Sequence, residues 1–468
     1  MTVLLINSPT REVPVVRDMA GGLGFDGGET VVLPPLDLAY MAATLIQKGH
    51  DARIIDADAE GLNAEAIYAE LPGDLTAVVA TVSLPSIHED SAFLKELKRR
   101  TGKPVLASSG ISHPPVLQEL LEESEADLVL YGECDTVIHE ILAGDSFTGT
   151  ARLVDGQVKV EPNGAVQDLD SLPLPARQLL PNDRYRYDLL GTGRATTMQT
   201  TRGCPYSCGY FCPYPLVQGK KWRARSPEHV VSEIEDVVKN TGTQRIFFRD
   251  ATFTLDKERA HEICRLVQER NLDITWWCET RVDCLDEELL RAMKAAGCIG
   301  INVGVETGDE EVMKTLAKKG LTVNKLKLIR DAAHEIGLKL HFLLMIGLPK
   351  ETRQSIYETQ KLLASLKPDS IGVCVITPYP GTPLYEEAEE KGWIESEDWT
   401  QFGGHSPIMH TDNLSTEELA QAHKMLLRAF KLSGLRSSAY DLYFKRWAHA
   451  GSPPAAGTAE STAGSAGA

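Results

Sequence analysis

Thr200-Thr201-Arg202-Gly203-Cys204-Pro205-Tyr206-Ser207-Cys208-Gly209-Tyr210-Phe211-Cys212 carries three cysteines at spacings of four and four. Three thiolates this close on one loop suit a cubane iron–sulfur cluster, whose irons need converging cysteine ligands. Three ligands leave one iron open. Gly203 and Gly209 let the backbone curl close to the sulfides. The alternatives are a zinc site or unrelated buried thiols. Zinc normally wants a fourth Cys or His at short spacing, and none follows nearby.

On both sides of this loop the apolar pattern alternates between strand and helix. Before it, Val3–Asn7, Ala52–Asp56, Ala77–Val82, Pro104–Ala107 and Leu128–Tyr131 read as strands with helices between. That rhythm predicts an α/β, doubly wound parallel sheet over residues 1–145. The proline-rich Leu169-Asp170-Ser171-Leu172-Pro173-Leu174-Pro175-Ala176-Arg177 marks an extended linker, 146–192. From Ala195–Thr200 the rhythm restarts, with strands at 245–249, 274–278, 300–305, 341–345 and 370–375. This gives six βα units over 193–385. Residues 386–450 read as a helical cap, and 451–468, dominated by Gly, Ser, Ala, Pro and Thr, as a disordered tail.

The chain has 468 residues and a net charge of −18. This acidity argues against nucleic acid and anionic membrane as partners. The basic run Lys220-Lys221-Trp222-Arg223-Ala224-Arg225 reads as an RNA contact or a solvated loop, and the acidic total favours the loop. No apolar run reaches membrane-span length, and Val3–Ile6 is too short for a signal-peptide core. Nine cysteines, three of them in one loop, suit a reducing cytoplasm better than a disulfide framework. Cys278, Cys284 and Cys298 fall on separate predicted elements without loop glycines, as buried thiols do.

The cluster loop resembles that of the radical SAM superfamily, CxxxCxxC with an aromatic before the last cysteine. Phe211 fills that place, and one extra residue makes the second spacing CxxxC. The resemblance implies a partial (β/α)6 barrel and a [4Fe–4S] cluster on Cys204, Cys208 and Cys212. It also implies S-adenosyl-L-methionine (SAM) chelated at the open iron and cleaved to a 5′-deoxyadenosyl radical. By the same resemblance Asp250, Glu279, Arg281, Glu306 and Lys318 would surround SAM at the carboxyl ends of the strands. Gly347-Leu348-Pro349-Lys350-Glu351-Thr352 and Pro378-Tyr379-Pro380-Gly381-Thr382-Pro383-Leu384-Tyr385 match two further family motifs in the expected order. The residues that act on the substrate are not identified by it.

Residues 1–145 resemble the cobalamin-binding domain that precedes the barrel in one class of this superfamily. The matching pieces are Pro35–Tyr40, Lys48-Gly49-His50, Gly110–Pro114 and Tyr131–Thr136. The chain lacks DxHxxG, the motif that gives cobalt a histidine, and only His88 and His113 lie on predicted strand-end loops. Cobalamin binding is therefore left undecided. CxxxCxxxC together with the missing motif resembles the radical SAM dehydratases of aminoglycoside antibiotic biosynthesis. Those enzymes imply a lyase-type loss of the C3′ hydroxyl from a paromamine-like diol, giving a 4′-oxo-3′-deoxy product. A flavodoxin or ferredoxin would supply the electron, and a separate NADPH-dependent reductase would take the product. The alternative is a cobalamin-dependent radical SAM methyltransferase of a secondary metabolite. A non-catalytic cobalamin carrier is disfavoured by the complete set of barrel motifs.

Overall fold

The computed structural model describes residues 1–10, 15–17, 25–26, 31–162, 164–316, 321–431 and 438–449. The predicted tail and Lys318 lie outside them.

The N-terminal sheet contains β1 (Thr2–Asn7), β2 (Asp51–Asp56), β3 (Ala77–Thr81), β4 (Val105–Ser108) and β5 (Leu128–Leu130). They run parallel in the order β2-β1-β3-β4-β5. β1 and β3 are almost entirely buried, as strands covered by helices on both faces must be. Two apolar layers flank them: Leu4, Ile6, Val78 and Ala80 pack with Phe93, Leu94 and Leu117 on one side. Val3, Leu5 and Val79 pack with Leu38, Met41 and Ile138 on the other.

The linker begins later than the sequence suggested. β6 (Thr150–Val154) and β7 (Gln157–Val160) extend the sheet by two antiparallel strands. The alternating exposure of β7 and the Asp155-Gly156 turn, with both residues at positive φ, mark a hairpin. The extended part of the linker then crosses to the second domain. There Arg177, at the end of the proline signature, donates to Thr196 Oγ1 (2.7 Å), the Thr197 carbonyl (2.8 Å) and Glu233 (2.7 Å).

The second sheet is β8 (Thr196–Met198), β9 (Arg245–Phe248), β10 (Thr275–Thr280), β11 (Cys298–Glu306), β12 (Lys339–Ile346) and β13 (Ser370–Val375). All pairs are parallel and the spatial order is the chain order, which is an open barrel of six βα units. The intervening helices start on side-chain caps, among them Asp256, Asp286 and the Thr352/Ser355 capping box.

Strand pleat divides the residues cleanly. Ile246, Phe248, Trp276, Cys278, Ile301, Val303, Leu340 and Phe342 pack with the helices in the main core. Their neighbours Phe247 and Trp277 form a separate layer with Leu190 and Ala195. Period two therefore sends Arg249, Glu279, Asn302, His341 and Cys374 to the concave face. The C-terminal part ties the units together. Tyr385, Phe402 and Ile408 join the core of the N-terminal sheet, and the Trp399 indole donates to Glu119 (2.9 Å). Among the described residues, no helix is long and apolar enough to cross a membrane.

Candidate functional site

The three-cysteine loop is an excursion from a two-residue ribbon at the carboxyl end of β8. Thr201–Arg202 pairs antiparallel with Arg223–Ala224, so both ends of the loop are pinned. Gly203 sits at φ +81°, and a Cβ there would lie 2.1 Å from the Lys221 carbonyl oxygen. Only glycine fits that turn. The Cys204 amide donates to the Gly219 carbonyl (3.1 Å), and the Phe211 and Cys212 amides both donate to the Cys208 carbonyl (3.1 and 3.0 Å). A hydrogen bond that the Cys204 thiol donates to Cys208, together with burial, pushes that thiol up.

Behind the cysteines lies an apolar wall. Phe211 is buried with Leu348, Ile376, Leu384 and Trp393, and Cys208 and Cys212 pack against this group. Three neighbouring thiols on a pinned loop with a dry backing are a donor set that a [4Fe–4S] cluster fits. The aromatic expected before the last cysteine contributes through packing.

The strand ends around the loop separate into two roles. Asp250 belongs to the helix-facing parity. Its fully buried carboxylate accepts from the Thr200 amide (2.8 Å), the Thr201 amide, Thr201 Oγ1 (2.7 Å) and Thr200 Oγ1 (3.1 Å). Burial pushes its carboxyl up, and these bonds oppose the shift. Asp250 thus clasps the entrance of the cluster loop. Arg281 also serves the loop: its guanidinium lies 3.7 Å from the Tyr206 ring and pairs with Asp283 (2.8 Å).

Glu279, by contrast, stands on the concave face. It accepts from Arg249 (2.9 Å) and from Asn302 Nδ2 (3.1 Å). Asn302 Oδ1 accepts from the Trp277 indole (2.7 Å), and its amide also donates to the Tyr187 hydroxyl (3.3 Å). The Tyr187 ring stacks on Phe247 at 4.2 Å. Sequence reasoning missed Arg249, Asn302 and Tyr187; a polar Asn302 in the middle of an apolar strand, in phase with Glu279, is the signal that could have found it.

Glu306 has φ +64°. It follows a register slip between Gly304 and Glu306 in the β11–β12 pairing. Among the described residues, the other non-glycine ones at positive φ lie outside the strands. A left-handed glutamate at a strand end costs about 1 kcal/mol or more, the kind of strain found at functional sites. The next loop supports it. Fully buried Glu351, from the Gly347–Thr352 motif, accepts from the Gly347 amide (2.7 Å) and Thr307 Oγ1 (3.3 Å), and burial pushes its carboxyl up to about 8. His341, on the concave face with Nδ1 2.7 Å from Ser370 Oγ, is lowered to about 4 by burial.

The chain is matched by the family model of the radical SAM superfamily over residues 198–363. It is 30% identical over 443 residues to an uncharacterized methyltransferase of Pyrococcus horikoshii, covering 92% of each chain. It belongs to the radical SAM superfamily.

Two solved structures share most of this architecture. The cobalamin-dependent SAM radical enzyme OxsB, with aqua-cobalamin and SAM bound, superposes at TM-score 0.71 with 16% identity, over 95% of this chain and 70% of that one. The radical SAM methyltransferase TsrM of Kitasatospora setae, with cobalamin and a [4Fe–4S] cluster bound, superposes at 0.66 with 19% identity, over 84% and 75%. The fold is thus that of cobalamin-dependent radical SAM enzymes, and the family's cofactors are a [4Fe–4S] cluster and SAM.

Cobalamin fits the N-terminal sheet less well. In the order β2-β1-β3-β4-β5, a ligand belongs at the carboxyl ends, at the β1/β3 switch point. Neither tempting histidine is there. His88 is half-exposed and pairs with Glu123 (3.0 Å), and His113 packs edge-on against Tyr385 (5.2 Å). The switch point itself holds the buried side chain of Arg17. In this arrangement the described residues at the switch point do not accommodate a corrinoid.

Proposed function

We propose that the protein is a radical SAM methyltransferase acting on a small molecule held against the concave face of the barrel. The observation that carries this reading is co-extension: 92% of this chain aligns with 92% of the Pyrococcus methyltransferase, so the likeness includes both sheets and the C-terminal part. Cys204, Cys208 and Cys212 would hold the cluster, with Phe211 closing its dry side. Bound there, the cluster and SAM supply reductive cleavage of a carbon–sulfur bond and hence a carbon radical.

The remaining tasks fall to the chain. Glu279 and Glu306 present carboxylates from adjacent strands to the amine and hydroxyl groups of SAM, with Lys318 assigned to the SAM carboxylate from its motif position. Asp250 and Arg281 position the loop. Tyr187 offers an aromatic face, and the apolar wall excludes water from the reacting centre. The test is anaerobic turnover with methyl-deuterated SAM on candidate metabolites. A product heavier by one labelled methyl supports the reading, and a product without label contradicts it.

A second reading is favoured by one observation, the closed switch point. An enzyme that needs no corrinoid could dehydrate an aminoglycoside diol. Hydrogen abstraction at C4′, loss of the C3′ hydroxyl as water, and uptake of one electron and one proton would give a 4′-oxo-3′-deoxy product. Flavodoxin or ferredoxin would supply the electron, and an NADPH-dependent reductase would act next. Glu279, Glu306 and Tyr187 suit a polycationic sugar. Its product would be lighter by one water.

A further inference from the structure

The carboxyl edge of the N-terminal sheet carries an ion-pair cluster that the radical chemistry does not use. Arg17 reaches it from outside the sheet. Nη1 donates to the Ser8 carbonyl (2.7 Å), just after β1, and pairs with Asp58 (3.2 Å), which follows β2. Nη2 donates to Asp90 (2.8 Å) and to Ser86 Oγ (3.2 Å), both beyond β3. One guanidinium thus spans the strands on either side of the topological switch. The Arg17 side chain is 3% exposed and that of Asp90 is fully buried.

The lips of the crevice are also joined directly. The Ser8 amide donates to Thr81 Oγ1 (2.9 Å), and Ser8 Oγ donates to the Thr81 carbonyl (2.6 Å). The second oxygen of Asp90 accepts from the Ser83 amide (3.0 Å) and Ser86 Oγ (2.7 Å). No donor in this set is spare for a ligand except Arg17 Nε, which has no partner.

We infer that Arg17 and a corrinoid compete for this one crevice, so that the nucleotide-like tail of a corrinoid enters only when the Arg17–Asp90 bridge is broken. Breaking it exposes a buried carboxylate that has lost its cation, which is costly. A ligand that binds only a rare open state has its apparent affinity reduced by the population of that state. The chain should therefore hold corrinoid weakly despite carrying the fold of corrinoid-binding relatives. This inference concerns binding alone, and its test does not depend on which reaction the protein carries out.

The probe is hydroxocobalamin, incubated with the full-length protein carrying its reconstituted cluster. After desalting, retained corrinoid is read from its visible absorption, and affinity from titration. Wild type is expected to retain well under one equivalent. The double variant Arg17→Ala/Asp90→Asn removes the bridge without leaving the fully buried Asp90 carboxylate charged, and the part-exposed Asp58 keeps its bonds from Thr10; it is expected to bind on the order of a hundredfold more tightly. If the double variant does not fold, Arg17→Gln, which keeps a donor towards Asp90, replaces it in the comparison. One tightly held equivalent on wild type would overturn the inference, and so would equally weak binding by wild type and a folded open variant. Neither readout requires turnover.

Discussion

Arg202, two residues before the first cluster cysteine, donates Nη1 (2.6 Å) and Nη2 (3.3 Å) to the two carboxylate oxygens of Asp135, in the loop after β5 of the other sheet. Both side chains are 7% exposed. Beside them Arg223, across the ribbon from Arg202, pairs with Glu133 (2.5 Å). The N-terminal domain thereby grips both strands of the ribbon that carries the cluster loop.

Truncating one partner of this pair leaves the other buried and charged. Asp135→Ala is expected to cost about 3–5 kcal/mol of stability. Arg202→Met/Asp135→Leu, which removes both charges, is expected to cost much less. Denaturant unfolding of the single and double variants checks this; equal losses would mean that the pair is solvated.

Cys204→Ala, Cys208→Ala and Cys212→Ala are each expected to abolish the visible absorption of the reconstituted cluster. Cys264→Ala, in the main core, should cost roughly 1 kcal/mol of stability and leave the absorption intact. Iron and sulfide analysis of each variant gives an independent reading.

Glu306→Gly relieves a left-handed backbone and should gain about 1 kcal/mol of stability. The same change should weaken SAM binding, because a charge-assisted hydrogen bond contributes about 1.5–3 kcal/mol. Thermal unfolding and SAM titration would together show stability rising while affinity falls. Unchanged SAM affinity would remove Glu306 from the site.

Glu351 sets a pH dependence. Its carboxyl titrates near 8 in the folded chain against an ordinary value of 4.5. The folded state therefore holds a proton that the unfolded chain has released between these values. Its contribution is fully present below pH 4.5 and lost as pH rises through 8, at up to about 1.4 kcal/mol per pH unit. Glu351→Gln should flatten that slope in a stability profile from pH 5 to 8.5.

The strands, their order along the chain and the three-cysteine loop were legible in the sequence because each is written in local pattern: apolar runs, caps and spacing. Even Lys257–Glu269 was bounded correctly, since Asp256 caps it. What was not legible depends on the third dimension. Asp250 follows a strand as Glu279 ends one, yet pleat parity and two threonines turn its carboxylate to the loop. Arg281 finds Tyr206 and Asp283 at close range. The hairpin at 150–160 resembled linker because its second strand, Gln157–Val160, is half-exposed and carries Gln157 and Lys159 outward. Arg17 lies just before the glycine-rich stretch 21–28, in a segment without periodicity, and only the folded sheet shows that it reaches the switch point.

The most direct test of the central claim is electron paramagnetic resonance of the reduced, reconstituted wild-type protein with and without SAM. If three cysteines hold a cluster with one open iron, the signal should change shape when SAM is added, and Cys212→Ala should give no such signal. A cluster signal that SAM leaves unaltered, or that survives loss of Cys212 unchanged, would contradict the account.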